Sequence, residues 1–196
     1  MSEIKQIDSF DTKKYILCMK GIEKNTGARL STILLDNDIP MENIAVWVGP
    51  GHIQSFVAEI PSVMIIDAYN EELANFLASN LRSHLIRFYR GKDIIGSEIG
   101  AAAKNVMGLA AGLLDGMGYS TLKGGLMARG TREISRLIKA CGGNELSAYG
   151  LCHLGDYEAT LFSEYSHNRM WGEKFAKGET FDKVLGLELG ADDYIV

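Results

Sequence analysis

Up to about Arg90 the chain alternates short β-rich apolar runs with stretches of helical spacing. Tyr15-Ile16-Leu17-Cys18-Met19 is an apolar run of strand length that stops at Lys20-Gly21. Residues 27–35 carry Leu30, Ile33 and Leu34 at helical spacing. Ile44–Val48 reads as a second strand, ending in Gly49-Pro50-Gly51, and residues 62–67, with Val63, Met64, Ile65 and Ile66, read as a third. Residues 70–79 predict a helix capped by Asn70, with Glu71 and Glu72 in its first turn. Leu85-Ile86-Arg87-Phe88-Tyr89 closes the series as a fourth strand. Strands with continuous apolar runs, separated by helices, predict an α/β layer with a mostly parallel sheet.

Beyond the polar turn Arg90-Gly91-Lys92-Asp93 the strand signal ends. Residues 94–114 predict a long Gly/Ala-rich helix, and residues 122–140 an amphipathic one ended by Gly142-Gly143. A third helical segment is expected after Leu146 and a fourth near Ser166, while residues 190–196 read as a shortened or reworked terminus. The division expected is an α/β domain over residues 1–92 followed by an all-helical domain over residues 93–196.

Composition narrows the function classes. With 196 residues, 46% of them hydrophobic, the chain can build a sizeable core. A net charge of -5 gives no broad positive field, so neither nucleic acid nor insertion into an anionic membrane is expected, whereas a local pocket of Lys and Arg can still hold a small anion. Cys18, Cys141 and Cys152 are odd in number and form no CxxC pair, and Met1-Ser2-Glu3-Ile4-Lys5-Gln6 offers no apolar leader; a cytoplasmic location is the expectation. Cys18 and Cys141 sit among apolar neighbours and read as core residues, as do Trp47, Phe88 and Tyr89. Cys152, His153 and Asp156 lack a fourth ligand at suitable spacing, so no metal is expected. Arg129, Arg132, Arg136 and Lys139 fall along one amphipathic helix as a solvated face.

The candidate chemistry centres on Lys104. Of the sixteen residues 99–114 only Lys104 and Asn105 are polar. A lysine in such a helix must shift its pKa, find partners, or snorkel to the surface. Gly100 and Gly108 flank it at i-4 and i+4, so a neighbouring chain or a ligand can come close to the ammonium. The run Glu98-Ile99-Gly100-Ala101-Ala102-Ala103-Lys104-Asn105-Val106, continued by Ala110-Ala111-Gly112 and Asp115-Gly116, resembles the signature helix of NAD(P)-dependent glycerol-3-phosphate dehydrogenases. The resemblance implies a partial Rossmann-like first domain and a helical substrate and catalytic domain. It also implies Lys104 as the base that takes the C2 hydroxyl proton of glycerol 3-phosphate while hydride leaves for NAD or NADP.

Other segments carry the same resemblance. Lys20 follows the first strand and Gly49-Pro50-Gly51-His52 follows the second, where ligands of α/β sheets are expected. Read alone, Lys20 could be a surface lysine and the glycines purely conformational. The family implies Lys20 near nicotinamide and substrate, Gly49 and Gly51 near substrate, and Ile53 near the cofactor; it usually has Ser at the Gly51 position and an aromatic at His52. Leu154-Gly155-Asp156-Tyr157-Glu158-Ala159-Thr160 is similar to the family's Gly-Asp segment, implying that Asp156 contacts Lys104 and, with Thr160 and Asn105, the substrate; alone, Asp156 could cap a helix. Ser166-His167-Asn168-Arg169 occupies the position of a phosphate-binding Ser-Arg-Asn-Arg motif. His167, implied to face both substrate and cofactor, replaces the first Arg and would make phosphate affinity depend on pH near neutrality. Without the resemblance the same four residues read as a solvated helix start balanced by Glu164 and Glu173.

The resemblance runs from about Tyr15 to Gly178. No G-x-G-x-x-G occurs in the sequence, so no turn of the kind that holds a dinucleotide pyrophosphate is visible. Two expectations follow: a dehydrogenase acting on a phosphorylated small molecule, as a homodimer or with a complementing N-terminal chain, or a non-catalytic module that binds a phospho-ligand or assists assembly.

Overall fold

The computed structural model describes residues 4–51, 53–163 and 166–179. Its four strands are β1 (Tyr15–Leu17), β2 (Ile44–Val48), β3 (Ser62–Ala68) and β4 (Ile86–Arg90), side by side in that order. β1 pairs parallel with β2 and β3 parallel with β4, in registers that set Ile16 against Ala45 and Met64 against Phe88. The middle pairing, Val46 against Asp67, is antiparallel. The mostly parallel sheet expected from the sequence therefore contains one reversal. The connection from β2 to β3 carries only the five-residue helix α2 (Ile53–Val57), about 7.5 Å long, too short to carry the chain back along the strands as a parallel crossover requires. The reversal gives the sheet two carboxyl-end rims, one at the ends of β1 and β2 and the other at the ends of β3 and β4.

Both sheet faces are covered, which is why the strands read as unbroken apolar runs. Ile44, Val46 and Val48 alternate onto one face with Leu17, Leu34 and Ile39, and pack against Ile94, Ala101 and Cys152. Ala45 and Ile66 lie on the other face under Leu73, Ala74 and Leu77 of α3 (Glu71–Asn80), with Trp47 edge-on to Phe88 at 4.9 Å. The Asn70 side chain accepts from the Glu72 N–H, the cap expected from its sequence position. Helix α1 (Leu30–Leu35) completes the strand-bearing part.

From Ile94 onward the described residues are helical. The 23-residue α4 (Ile94–Gly116) runs through the middle, flanked by α5 (Lys123–Ala140), α6 (Asp156–Leu161) and α7 (His167–Ala176). The third segment is more irregular than a plain helix: a 3-10 turn at Glu145–Tyr149 and a π-turn at Leu151–Gly155 lead into α6. Two buried carboxylates fasten α4 to what precedes it. Asp67 accepts from the Asp93 N–H and the Ser97 hydroxyl, both at 3.0 Å. Glu98 accepts from the Ser31 N–H at 2.8 Å, from the Ser31 hydroxyl at 2.5 Å and from Arg29 at 2.6 Å.

Three residues expected in the core are not there. Cys18 and Cys141 are exposed, because β1 ends at Leu17 and α5 at Ala140, leaving each thiol one residue past the element that would have buried it. Tyr89 is 45% exposed, since the outward face of β4 bears Arg87 and Tyr89 while Phe88 turns inward. Arg129, Arg132, Arg136 and Lys139 are exposed on α5, as expected of a solvated face. Residues 190–196, and with them the expectation for the terminus, lie outside the described residues. No helix among the described residues is long and apolar enough to cross a membrane.

Candidate active site

Helix α4 bears glycines at 96, 100, 108, 112 and 116, a single stripe at i, i+4 spacing interrupted only by Lys104. Each half of the stripe receives a neighbouring segment at close range. Toward the N-terminal end, a Cβ on Gly100 would lie 2.9 Å from the His153 Cβ, and the His153 ring is held by its Nδ1 to the Gly100 carbonyl at 2.9 Å. Toward the C-terminal end, α7 crosses so closely that a Cβ on Gly112 would run into the Arg169 carbonyl, and one on Gly172 into the Leu109 carbonyl. Lys104 is thus the one long side chain of the stripe, at the gap between the two packed segments.

Asp156 meets it there. The π-turn delivers this carboxylate, 1% exposed, to two lysines from distant parts of the chain: Lys104 Nζ donates to Oδ1 at 2.7 Å and Lys20 Nζ to Oδ2 at 2.5 Å. Lys104 also donates to the Thr160 hydroxyl at 3.1 Å, whose own proton goes to the Asp156 carbonyl at 2.7 Å. Two cations sharing one carboxylate leave an excess positive charge at a site half closed to water. Burial pushes the Lys104 pKa down to about 8; the Asp156 carboxylate opposes this, and the Lys20 ammonium adds to it. A lysine with that pKa can hold or release a proton near neutral pH. Asp156 therefore acts through its side chain on the lysines, not as a helix cap.

The next turn of α4 brings in the remaining polar groups. The space beside Gly108 is bounded by Thr160 Cγ2, the Asn168 Cβ and the Ser166 hydroxyl, all within 4 Å of where a Cβ would stand. Asn168 donates to the Asn105 Oδ1 at 3.1 Å, and Ser166 caps α7 by accepting from the Arg169 N–H at 3.3 Å. Lys104, Asn105, Thr160, Ser166 and Asn168 are thereby gathered on one side of α4. His167 is exposed at the start of α7. The Arg169 guanidinium is engaged elsewhere, donating to Asp115 at 2.8 Å, to Glu173 at 3.2 Å and to the Ser163 carbonyl at 3.0 Å, where Lys123 joins the same Asp115 carboxylate. In this arrangement Arg169 anchors α7 to the end of α4.

The loop after β2 lies at the same carboxyl rim as Lys20, with no hydrogen bond among the described residues to either lysine. Gly49 has φ +130° and its missing Cβ would stand 3.1 Å from the Met64 Cα, so both conformation and space demand glycine. Gly51 is backed by Met64 and Phe56, and Ile53 is 76% exposed; His52 lies outside the described residues. Sequence reasoning considers His153 only for a metal and misses its part in seating the Asp156 turn on Gly100; its place three residues before Asp156, hence on the same helical face, is the available signal.

Lys20 is partly exposed and Ile53 is 76% exposed, a cation and an apolar group open to a ligand at this rim. The sequence has no G-x-G-x-x-G, and among the described residues the Ser31 N–H at the start of α1 is already taken by Glu98, so no pyrophosphate cradle of that kind is present among them.

Asp156→Asn removes the carboxylate that bridges the two lysines. Because that charge holds the Lys104 pKa up, the variant is expected to titrate Lys104 below about 8. NMR of the protein with 13C-labelled lysine follows this directly, and an unchanged Lys104 midpoint would break the assigned coupling.

Two family profiles match the chain. The profile of the NAD-dependent glycerol-3-phosphate dehydrogenase N-terminus matches residues 2–74, and that of the C-terminus of the same enzymes matches residues 93–192. The match thus begins earlier and ends later than the span from Tyr15 to Gly178 read from motifs. Glycerol-3-phosphate dehydrogenase (NAD(P)+) of Clostridium botulinum (strain Eklund 17B / Type B) is 38% identical over 168 residues, which are 85% of this chain and 50% of that protein. The enzyme of the same name from Agrobacterium fabrum is 38% identical over 177 residues, 90% of this chain and 54% of its own. The crystal structure of glycerol-3-phosphate dehydrogenase from Coxiella burnetii superposes with a TM-score of 0.84 at 26% identity, covering 89% of this chain and 53% of that one. At 20% identity and TM-score 0.83, the Plasmodium falciparum glycerol-3-phosphate dehydrogenase shares the fold over 95% of this chain and 53% of its own. The chain spans about half the length of the curated relatives it matches. With both family profiles matching, over residues 2–74 and 93–192, the chain belongs to the NAD-dependent glycerol-3-phosphate dehydrogenase family.

Proposed function

We propose that the chain serves an NAD(P)-dependent interconversion of sn-glycerol 3-phosphate and dihydroxyacetone phosphate, with Lys104 as general base. The observation that carries this reading is the buried Lys104 ammonium between Asp156 and Thr160, with its pKa lowered to about 8. The substrate phosphate would rest on Ser166, His167 and Asn168, with Arg169 holding α7 in place through Asp115 and Glu173, and the C2 and C3 hydroxyls near Lys104, Asn105, Asp156 and Thr160. Gly49 and Gly51 would let the substrate approach the backbone of the rim that carries Lys20. Lys20 and Ile53, with His167, would face the nicotinamide, which supplies the hydride acceptor when bound. In oxidation, neutral Lys104 takes the C2 hydroxyl proton as the C2 hydride departs, and the alcohol becomes a ketone; in reduction, protonated Lys104 returns the proton to the oxygen. While Lys104 is neutral the Lys20–Asp156 pair sums to zero charge, so the excess positive charge that favours the phosphorylated substrate is present only while Lys104 is protonated. We assign the strand-bearing residues 1–92 to the cofactor side and residues 93–196 to the substrate and catalytic side.

The sign of the pH dependence follows. Oxidation needs the neutral amine, only about a tenth of the population at pH 7 for a pKa near 8, so its rate is expected to rise up to about pH 8 and level off above it. Reduction needs the ammonium and is expected to fall across the same range. Initial rates in both directions from nicotinamide absorbance test this; parallel profiles would remove Lys104 from the proton transfer.

A second reading rests on the missing glycine fingerprint: a non-catalytic module that binds a phospho-ligand. Calorimetry separates the two. Glycerol 3-phosphate binding lost in Asn168→Ala, with no nicotinamide cofactor binding and no turnover, would favour the module. Turnover that appears only with a second polypeptide bearing G-x-G-x-x-G would favour the enzyme as a complemented assembly, and turnover by this chain as a monomer or homodimer would need neither.

A further inference from the structure

The sheet reversal leaves a second carboxyl rim, at the ends of β3 and β4, which the Lys104 site does not use. A cleft of about 640 Å³ opens there between the start of α3 and the end of β4, lined among others by Tyr69, Glu71, Phe88, Arg90 and Lys92. A hollow of about 530 Å³ adjoins it beside Arg82 and shares its Arg87, Phe88 and Arg90 walls. Volumes of this size suit a small organic ligand, not a bare inorganic ion.

The charge of this rim sets it apart from the rest of the molecule. Residues 82–92 contain Arg82, Arg87, Arg90 and Lys92 with no Asp or Glu, in a chain of net charge -5. Arg29, Arg129, Arg136 and Arg169 are ion-paired, whereas Arg82, Arg87 and Arg90, like Arg132 on α5, have no ion pair to a described carboxylate, and only the first three cluster on one rim. Arg90 is instead held by the Asn75 side chain, and the Arg87 guanidinium lies 5.0 Å over the Tyr89 ring. Charged residues on an edge strand also discourage edge-to-edge pairing. That role requires neither a cleft nor the half-exposed Tyr89.

We propose that the cleft between α3 and β4 binds a nucleoside phosphate, with its base against the Phe88 ring and its phosphates on Arg90 and Lys92, joined by Arg87 around the edge of β4. Guanidinium groups recognise phosphate oxygens through paired N–H donors, and among the described residues no carboxylate pairs with these arginines. Glu71, at the cleft wall, is the acceptor for a ribose hydroxyl or a base amine. This site lies at the rim opposite Lys20 and is independent of the proposed dehydrogenase chemistry.

Trp47 provides the readout, because its ring meets Phe88 of the cleft wall edge-on at 4.9 Å. In a Trp171→Phe background it is the sole tryptophan. Titration with metal-free ATP is expected to give a saturable change in Trp47 fluorescence, with adenosine and inorganic tripolyphosphate each binding more weakly. Arg87→Ala/Arg90→Ala, at exposed positions, is expected to weaken ATP by at least about tenfold with an unchanged circular dichroism spectrum. Lys104→Ala is expected to leave ATP binding intact. No response at millimolar ATP, or equal affinity in the double arginine variant, would overturn the site; tripolyphosphate binding as tightly as ATP would overturn the assignment to a nucleotide. Loss of binding in Lys104→Ala would move the ligand to the other rim.

Discussion

Lys104→Ala is expected to lower kcat by roughly 10²–10⁴-fold in both directions, the usual worth of a positioned general acid–base. The fold should survive, because Asp156 keeps its 2.5 Å pairing with Lys20 and is not left as an uncompensated buried charge. Lys104→Arg sharpens the test: a guanidinium retains the positive charge but does not release its proton in this pH range, so charge alone should not restore turnover. Small primary amines added to Lys104→Ala should recover part of the rate, more so as they become better bases. Initial rates of dihydroxyacetone phosphate reduction, followed by nicotinamide absorbance, measure all three. An alanine variant within a few-fold of the parent, or an arginine variant that is fully active, would eliminate Lys104 as the base.

The second large effect concerns stability. Gly112→Val would push a branched side chain into the backbone of α7, where even a single Cβ meets the Arg169 carbonyl, and the reciprocal contact of Gly172 with Leu109 prevents α7 from sliding aside. The expected cost is about 3 kcal/mol or more, the upper end of overpacking in a close-packed interior. For a chain of this size that lowers Tm by roughly 6–12 °C. Thermal unfolding by circular dichroism measures it, with Val106→Ala on the exposed face of the same helix as a control expected to change little. Because Ser166 and Asn168 ride on α7, the KM for the phosphorylated substrate should rise even where the variant is folded. A Gly112→Val protein as stable as its parent would contradict the backbone contact between α4 and α7.

The parts of this molecule legible in its sequence are those that local spacing encodes. Continuous apolar runs marked Ile44–Val48 and the other strands, while which of these residues face which side, Ile44, Val46 and Val48 one and Ala45 and Trp47 the other, is seen in the fold. Asn70 marked the start of α3, and the helix from Ile94 ran two residues beyond the expected Leu114 because Asp115 and Gly116 continue it onto α7. Lys104 stood out because a charge is costly in an otherwise apolar helix.

Strand direction was not legible. An apolar run buried on both faces reads the same in either orientation, so the reversal between β2 and β3, and with it the second carboxyl rim, arose only from the shortness of the connection through α2. Arg169 illustrates a different limit. Its position in the motif points to phosphate, but the carboxylates of Asp115 and Glu173 come within its reach only when α7 is laid along α4, and they capture the guanidinium. Cys18 and Cys141 were misplaced by a single residue each, because apolar neighbours along the chain do not reveal where an element ends.

The sequence by itself determined most of the elements and the presence of one lysine too costly to leave without partners. Only the tertiary structure decided what that lysine contacts. Asp156 lies 52 residues from Lys104 and 136 from Lys20, and no local pattern records that one carboxylate bridges both. That bridge depends on His153 seating the π-turn on Gly100, and on a glycine stripe that lets neighbouring backbones approach to contact distance. Proximity to Lys20, exclusion of water and the shared counterion together set the Lys104 pKa, and all three come from packing between segments that meet only in the folded chain.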